Sequence, residues 1–302
     1  MTLYPAIRLS PLCRAALGLA LVSLLAGCSG GSNPEQSENS APARGIVSKI
    51  DGKEMVLVPA GEFLLGTDMK DPDNTHLKIG TVKPLFVDQG PQQKLDLPAF
   101  YIDKYEVTNR EYQRFLEATR YHDRPSHWEG EAFPEGTGNQ PVTNVSWGEA
   151  MAYALWAGKI LPTEEQWEKA ARGTDGRLFP WGNEYQKGIS NMGLEGKKDF
   201  ANVGEYPKDV SPYGAYDMGG NVMEWTLSWY LPYKGSDYRN KKMGGRLKVM
   251  RGNGFQKGGH YFLDAYRYVF HRTEADPDEF YENVGFRCVM PVEKGIFEKN
   301  GR

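Results

Sequence analysis

Cysteine is nearly absent: the 302-residue chain holds three, Cys13, Cys28 and Cys288. Two of them sit near the N-terminus, so the folded body keeps Cys288 alone and an internal disulfide is excluded there. Excess positive charge is lacking as well. Lys and Arg number 36 against 39 Asp and Glu, which excludes the basic face that nucleic-acid binding requires. The apolar run Ala15–Ala26 is shorter than the roughly 20 residues a membrane-spanning helix needs. After Arg177 helical periodicity fades, and Gly, Asn, Pro and aromatics dominate.

What is present at the N-terminus is an export signal. Arg8 and Arg14 form a basic start, an apolar run follows, and small residues end it. Leu25-Ala26-Gly27-Cys28 resembles the bacterial lipoprotein signal, which implies cleavage after residue 27 and acylation of Cys28. Several acyl chains on one cysteine anchor stably where a single chain is marginal. Ser29 in place of aspartate favours the outer membrane, facing the periplasm or the surface. Residues 28–44 are rich in Gly, Ser and Pro and lack large apolar side chains, so they read as a flexible tether with a reach of roughly 20–25 Å. Losing Arg8 and Arg14 leaves 34 basic against 39 acidic residues. Residues 45–302 contain no further linker-like break and read as one domain.

That domain reads as α+β with little regular secondary structure. Strands are expected over Met55–Pro59, Gly61–Gly66 and from Phe100, with a long loop over Asp68–Gln93. Three helices open on Ser or Thr with Glu or Gln three residues on: Thr108…Glu111, Ser146…Glu149 and Thr163…Gln166. The spacing predicts helices over Asn109–Thr119, Trp147–Ala157 and Glu164–Arg172. In the first, Tyr112, Phe115, Leu116 and Thr119 form the apolar face. In the second, Trp147, Ala150, Met151, Ala154 and Leu155 do so.

Seven short motifs follow one another along the body. They are Pro59–Phe63, Tyr105–Asn109, Pro141–Trp147, Leu161–Glu168, Phe179–Asn183, Gly214–Trp225, and the stretch from Arg251-Gly252 to Gly285-Phe286-Arg287-Cys288. Their order resembles the formylglycine-generating (sulfatase-modifying factor) family over roughly residues 52–291. The resemblance implies a single C-type-lectin-like domain. It also implies structural calcium, with carboxylates from Asp217 and Glu224 and main-chain carbonyls from Gly220 and Val222. A second calcium site would use Asn191 and the Met192 carbonyl. Independently of the family, Asp217 and Glu224 bracket a tight turn, an arrangement that can surround a hard cation with oxygen.

The family's oxidases hold copper between two thiolates in the segment after the Arg-Gly turn, because soft thiolates select Cu(I). Here the first thiol position falls at Lys257 and the second near Asp264, and residues 256–287 contain no cysteine. Copper is therefore not expected. His260, Asp264 and His271 supply two imidazoles and a carboxylate, a ligand type used by non-haem iron. Two readings follow. One is a lipid-anchored accessory or binding module, stiffened by calcium, that meets a protein, peptide or glycan through Lys257, Tyr261, Phe262, Tyr266 and Arg267. The other is a metal-dependent oxidoreductase like the exported relatives implicated in siderophore (pyoverdine-type) maturation, with iron on His260, Asp264 and His271.

Overall fold

The computed structural model describes residues 45–192, 199–255 and 264–292. The expected signal, Cys28 and the tether lie outside them, as do Lys257, His260, Tyr261, Phe262 and the side chain of Asp264.

The chain begins with β1 (Gly45–Val47), β2 (Glu54–Val58) and β3 (Gly61–Leu65). The expected long loop follows, interrupted by one helical turn, α1 (Thr75–Lys78). Next come β4 (Gln93–Leu97), which pairs with β3, and β5 (Phe100–Asp103), which pairs with β2. All four residues of β5 are buried, and both of its long edges are paired. Its second neighbour is the last strand, β10 (Val289–Pro291), giving an antiparallel sheet in the order β1-β2-β5-β10. The last strand of the described residues thus joins the sheet that the first one opens.

α2 (Asn109–Thr119), α3 (Trp147–Trp156) and α4 (Glu164–Arg172) follow, each with both hydrogen bonds of the capping box formed. Those bonds satisfy amides that the first turn leaves unpaired. The buried faces differ in detail from the expected ones. Thr119 is exposed and its hydroxyl donates to the Phe115 carbonyl at 2.7 Å. In α3 the buried residues are Glu149, Ala150, Tyr153 and Ala154, whereas Leu155 is 58% exposed. Tyr153 rotates the helix inward: its ring packs on Tyr112, Phe115 and Phe286, and its hydroxyl donates to Asp51. α3 ends one residue before Ala157, whose amide bonds back to the Tyr153 carbonyl.

A second sheet carries the site. It is built from β6 (Met223–Trp229), β7 (Lys248–Arg251), β8 (Arg272–Ala275) and β9 (Val284–Gly285) in the order β8-β7-β6-β9, with β9 parallel to β6. α4 packs over it, with Trp167 and Trp225 fully buried. Arg172, Arg251, Arg272 and Arg287 are also among the fully buried side chains. Burying a guanidinium is costly unless carboxylates and carbonyls meet it, and each of these four meets both.

Candidate functional site

The turn Asp217–Trp225 enters β6 through two non-glycine residues in the left-handed region, Asp217 (φ 59°) and Asn221 (φ 69°). Asp and Asn tolerate this conformation better than other side chains. Gly220 between them is a close approach: a Cβ there would lie 2.2 Å from Ser190 Oγ and 2.7 Å from the Asn191 carbonyl oxygen. The turn is thereby pressed against residues 190–191. Asn221 ties the two segments further, because its Oδ1 accepts from Asn191 Nδ2 (3.2 Å) and the Ala201 amide (2.9 Å).

The expected calcium ligands can be tested one by one. Both oxygens of Glu224 accept from Arg287, with contacts of 2.8–2.9 Å, and Oε2 also accepts from Trp167 Nε1 at 2.8 Å. A carboxylate offers about four lone-pair sites, and here protein donors make four contacts. Glu224 therefore does not fit a calcium ligand in this arrangement: the cation it faces is the Arg287 guanidinium. Asp217 Oδ2 accepts from the Gly204 amide at 2.6 Å, and burial pushes its carboxyl up to about 6. Glu106, which the sequence reading missed, is buried beside Asp217: its Oε1 accepts from Asn221 Nδ2 at 3.3 Å, its Oε2 has no hydrogen-bond partner, and burial, followed by Asp217's charge, pushes its carboxyl well above the usual range. Asn191 is bare as well. Its Oδ1 has no hydrogen-bond partner although the residue is 1% exposed. A bare buried oxygen is what a hard cation takes, so Asn191, with the Met192 carbonyl, fits the second calcium site. Among the described residues no group of three His, Cys, Asp or Glu is placed to hold a metal.

In the closing stretch Arg267 and His271 are both buried. Tyr266 ends a 3-10 turn (Asp264–Tyr266) and its ring lies 5.1 Å from that of His271. Arg267 stacks over Tyr185, with 4.5 Å from Cζ to the ring centroid. Phe179, Trp181, Tyr268 and Phe86 continue this aromatic face inward. Both ring nitrogens of His271 are engaged, Nδ1 with Gln89 Nε2 at 3.1 Å and Nε2 with Thr273 Oγ1 at 3.2 Å. In this arrangement His271 does not fit an iron ligand, because no nitrogen is left to coordinate. The turn before β8, closed by the His271 amide on the Tyr268 carbonyl, aims the ring toward Gln89 in the long loop over Asp68–Gln93.

Burial, with the Lys83 charge next, holds His271 down at about 3. An unfolded histidine titrates near 6.5, so between these values the unfolded chain binds the extra proton and stability falls as pH is lowered. Going from pH 7 to pH 5 is expected to cost ~2 kcal/mol through this residue. Urea denaturation at both pH values checks it, the wild type losing that much more than the His271→Asn variant.

Cys288 is fully buried, and its amide donates to Asp103 Oδ2 at 2.9 Å. Burial, followed by the Asp103 carboxylate, pushes the thiol well up. It is a packing residue of the core that includes Tyr112, Tyr153 and Trp225.

Comparison with known proteins bears on this geometry. The family described as the sulfatase-modifying factor enzyme 1-like domain matches residues 44–292. Formylglycine-generating enzyme of Mus musculus is 31% identical over 294 residues, covering 78% of this chain and 74% of that protein. Inactive C-alpha-formylglycine-generating enzyme 2 of Mus musculus is 31% identical over 283 residues, covering 78% and 84%. Among solved structures, that of PvdO from Pseudomonas aeruginosa superposes with a TM-score of 0.61 at 25% identity, covering 82% of this chain and 98% of that one.

Proposed function

The chain belongs to the family of sulfatase-modifying factor enzyme 1-like domains, and from that membership we propose that it is a binding or accessory module of the cell envelope. It does not make formylglycine by the copper–thiolate route. One observation carries this reading: residues 256–287 contain no cysteine, and Cys288, buried and held as a thiol, is in no position to supply a thiolate. A metal-binding thiol must ionise, so the residues do not fit copper.

The module is proposed to hang from a lipid anchor at Cys28 by the tether of residues 28–44, as a member of the outer-membrane complement. The Arg287–Glu224 pair stiffens the turn that calcium was expected to stiffen, and calcium is left the Asn191 and Met192 oxygens. Tyr266 and Tyr185, both half-buried, with the buried Arg267 stacked on Tyr185, supply a contact face of rigid aromatics suited to a protein or peptide partner. An inactive relative of similar identity shows that the scaffold outlives the chemistry elsewhere in the family.

The likeness to PvdO over nearly its whole length favours a second reading, an oxidoreductase. One experiment separates the two. Elemental analysis of the purified protein, with oxygen uptake measured on thiol peptides, is expected to find no stoichiometric copper or iron and no uptake. Iron at one equivalent, lost on His260→Ala, would replace the binding-module reading with the oxidoreductase.

A further inference from the structure

The charge balance of the whole chain conceals one segment in which a single sign dominates. The loop from β6 to β7, residues 230–247, carries five Lys and Arg against one acid, Asp237, in a chain whose totals are 36 and 39. The loop is ordered by its own bonds. Its ends meet where the Tyr230 amide donates to the Leu247 carbonyl at 2.8 Å, and it turns through Ser236 on the Tyr233 carbonyl (3.0 Å) and Met243 on the Asn240 carbonyl (3.1 Å). Tyr230, Tyr233 and Ser236 are buried, and the two tyrosine hydroxyls donate to Asp88 and Glu164. The cations lie on the other side: Lys234, Arg239, Lys241, Lys242 and Arg246 are all exposed. Lys242 pairs with Glu274 at 2.6 Å, and Arg239 donates to the Ser236 and Tyr238 carbonyls. Among the described residues, Lys234, Lys241 and Arg246 meet no carboxylate.

Exposed apolar surface adjoins these charges. Trp229, which ends β6, is 39% exposed and Leu231 is 46% exposed, with Tyr230 between them fully buried. Successive side chains of an extended chain leave on opposite faces, so Trp229 and Leu231 stand on one outward side. The Trp229 ring is held in place: the Lys248 ammonium lies 3.5 Å from its centroid and 4.1 Å from that of Trp147. A surface loop that serves solubility alone intersperses both signs and keeps large apolar side chains out of water. This loop does neither.

Cations of one sign, an indole and an aliphatic side chain together match a bilayer with anionic headgroups. The cations answer the negative surface potential, and the indole settles at the headgroup level. An acidic polysaccharide would use the cations and the indole face but leave Leu231 in water. We propose that the β6–β7 loop docks the domain on an anionic phospholipid bilayer, with Lys234, Lys241 and Arg246 on the headgroups and Trp229 and Leu231 entering the interface. The proposal rests on the lipid-anchored reading and gives the anchored domain an orientation. Each cation contributes about fivefold to such docking, which is weak for a free protein. The anchor makes it an intramolecular step at a roughly millimolar effective concentration.

The test places the purified full-length protein on vesicles of phosphatidylcholine and on vesicles of equimolar phosphatidylcholine and phosphatidylglycerol, both doped with brominated phosphatidylcholine to quench tryptophan. Flotation with the neutral vesicles reads the anchor, and the difference in quenching between the two vesicles reads the loop. Wild-type quenching is expected to be about twofold greater on the anionic vesicles and to fall to the neutral level at ~1 M salt. Trp229→Phe is expected to lose the excess, which assigns it to that ring among the seven tryptophans. The triple variant Lys234→Gln, Lys241→Gln, Arg246→Gln is expected to weaken docking about a hundredfold and to lose the excess as well. Its three side chains are exposed, so the fold is kept. Equal quenching on the two vesicles, or an excess that survives in either variant, would overturn the proposal. Retention on dextran sulfate that the triple variant loses, without excess quenching on anionic vesicles, would assign the loop to an acidic polysaccharide instead. Protein that does not float with the neutral vesicles yet shows the excess on the anionic ones would overturn the anchor and uphold the loop.

Discussion

Replacing Arg287 by methionine is expected to lower the unfolding free energy by ~3–5 kcal/mol, the cost of removing one partner from a buried ion pair. Against a typical total of about 5–15 kcal/mol, that leaves the domain marginal. Arg287 and Glu224 are both fully buried. The guanidinium bonds both oxygens of Glu224 and also donates to the carbonyls of Asp103 (3.2 Å), Lys104 (3.3 Å) and Tyr216 (2.9 Å). It therefore joins the second sheet to β5 of the first, and its loss strands a carboxylate and three carbonyls at once. Urea denaturation measures the loss. Calcium adds a sharper readout. In the wild type Glu224 has no lone pair to offer, whereas the variant frees it beside Asp217 and the carbonyls of Gly220 and Val222. Millimolar calcium is accordingly expected to raise the midpoint of Arg287→Met more than that of the wild type. An equal response in both would mean that calcium does not reach this turn.

That same pair shows where sequence stops informing. The three capping boxes were legible because each is a local pattern four residues long, and the structure forms all three. The single α+β domain was legible through motifs whose order survives intact. The partner of Glu224 was not, because it lies 63 positions away, and a carboxylate beside a glycine turn reads equally well as a cation ligand or as half of an ion pair. α3 departed at one residue for a similar reason: Trp147, Ala150, Met151 and Ala154 pack in or against the core as the helical period suggests, but Leu155 turns outward because Tyr153 reaches Asp51, 102 positions earlier.

Arg272→Met should bring a comparably large stability loss, of which a second substitution recovers part. Arg272 is 1% exposed and meets Glu164 through Nε at 2.7 Å and Nη2 at 2.8 Å. It also donates to the carbonyls of Asp88 (2.8 Å) and Leu231 (3.0 Å), and its guanidinium lies 4.2 Å from the Tyr233 ring centroid. Glu164 is fully desolvated on α4, and burial pushes its carboxyl up even against Arg272. Removing the arginine leaves that acid without its bidentate partner, at a cost of ~3–5 kcal/mol by urea denaturation. Changing both, Arg272→Met with Glu164→Leu, is expected to recover part of it, because an apolar pair of similar volume carries no desolvation penalty. The recovery checks the ion-pair account: a double variant no more stable than Arg272→Met alone would place the loss in the stranded carbonyls of Asp88 and Leu231 and not in the stranded Glu164.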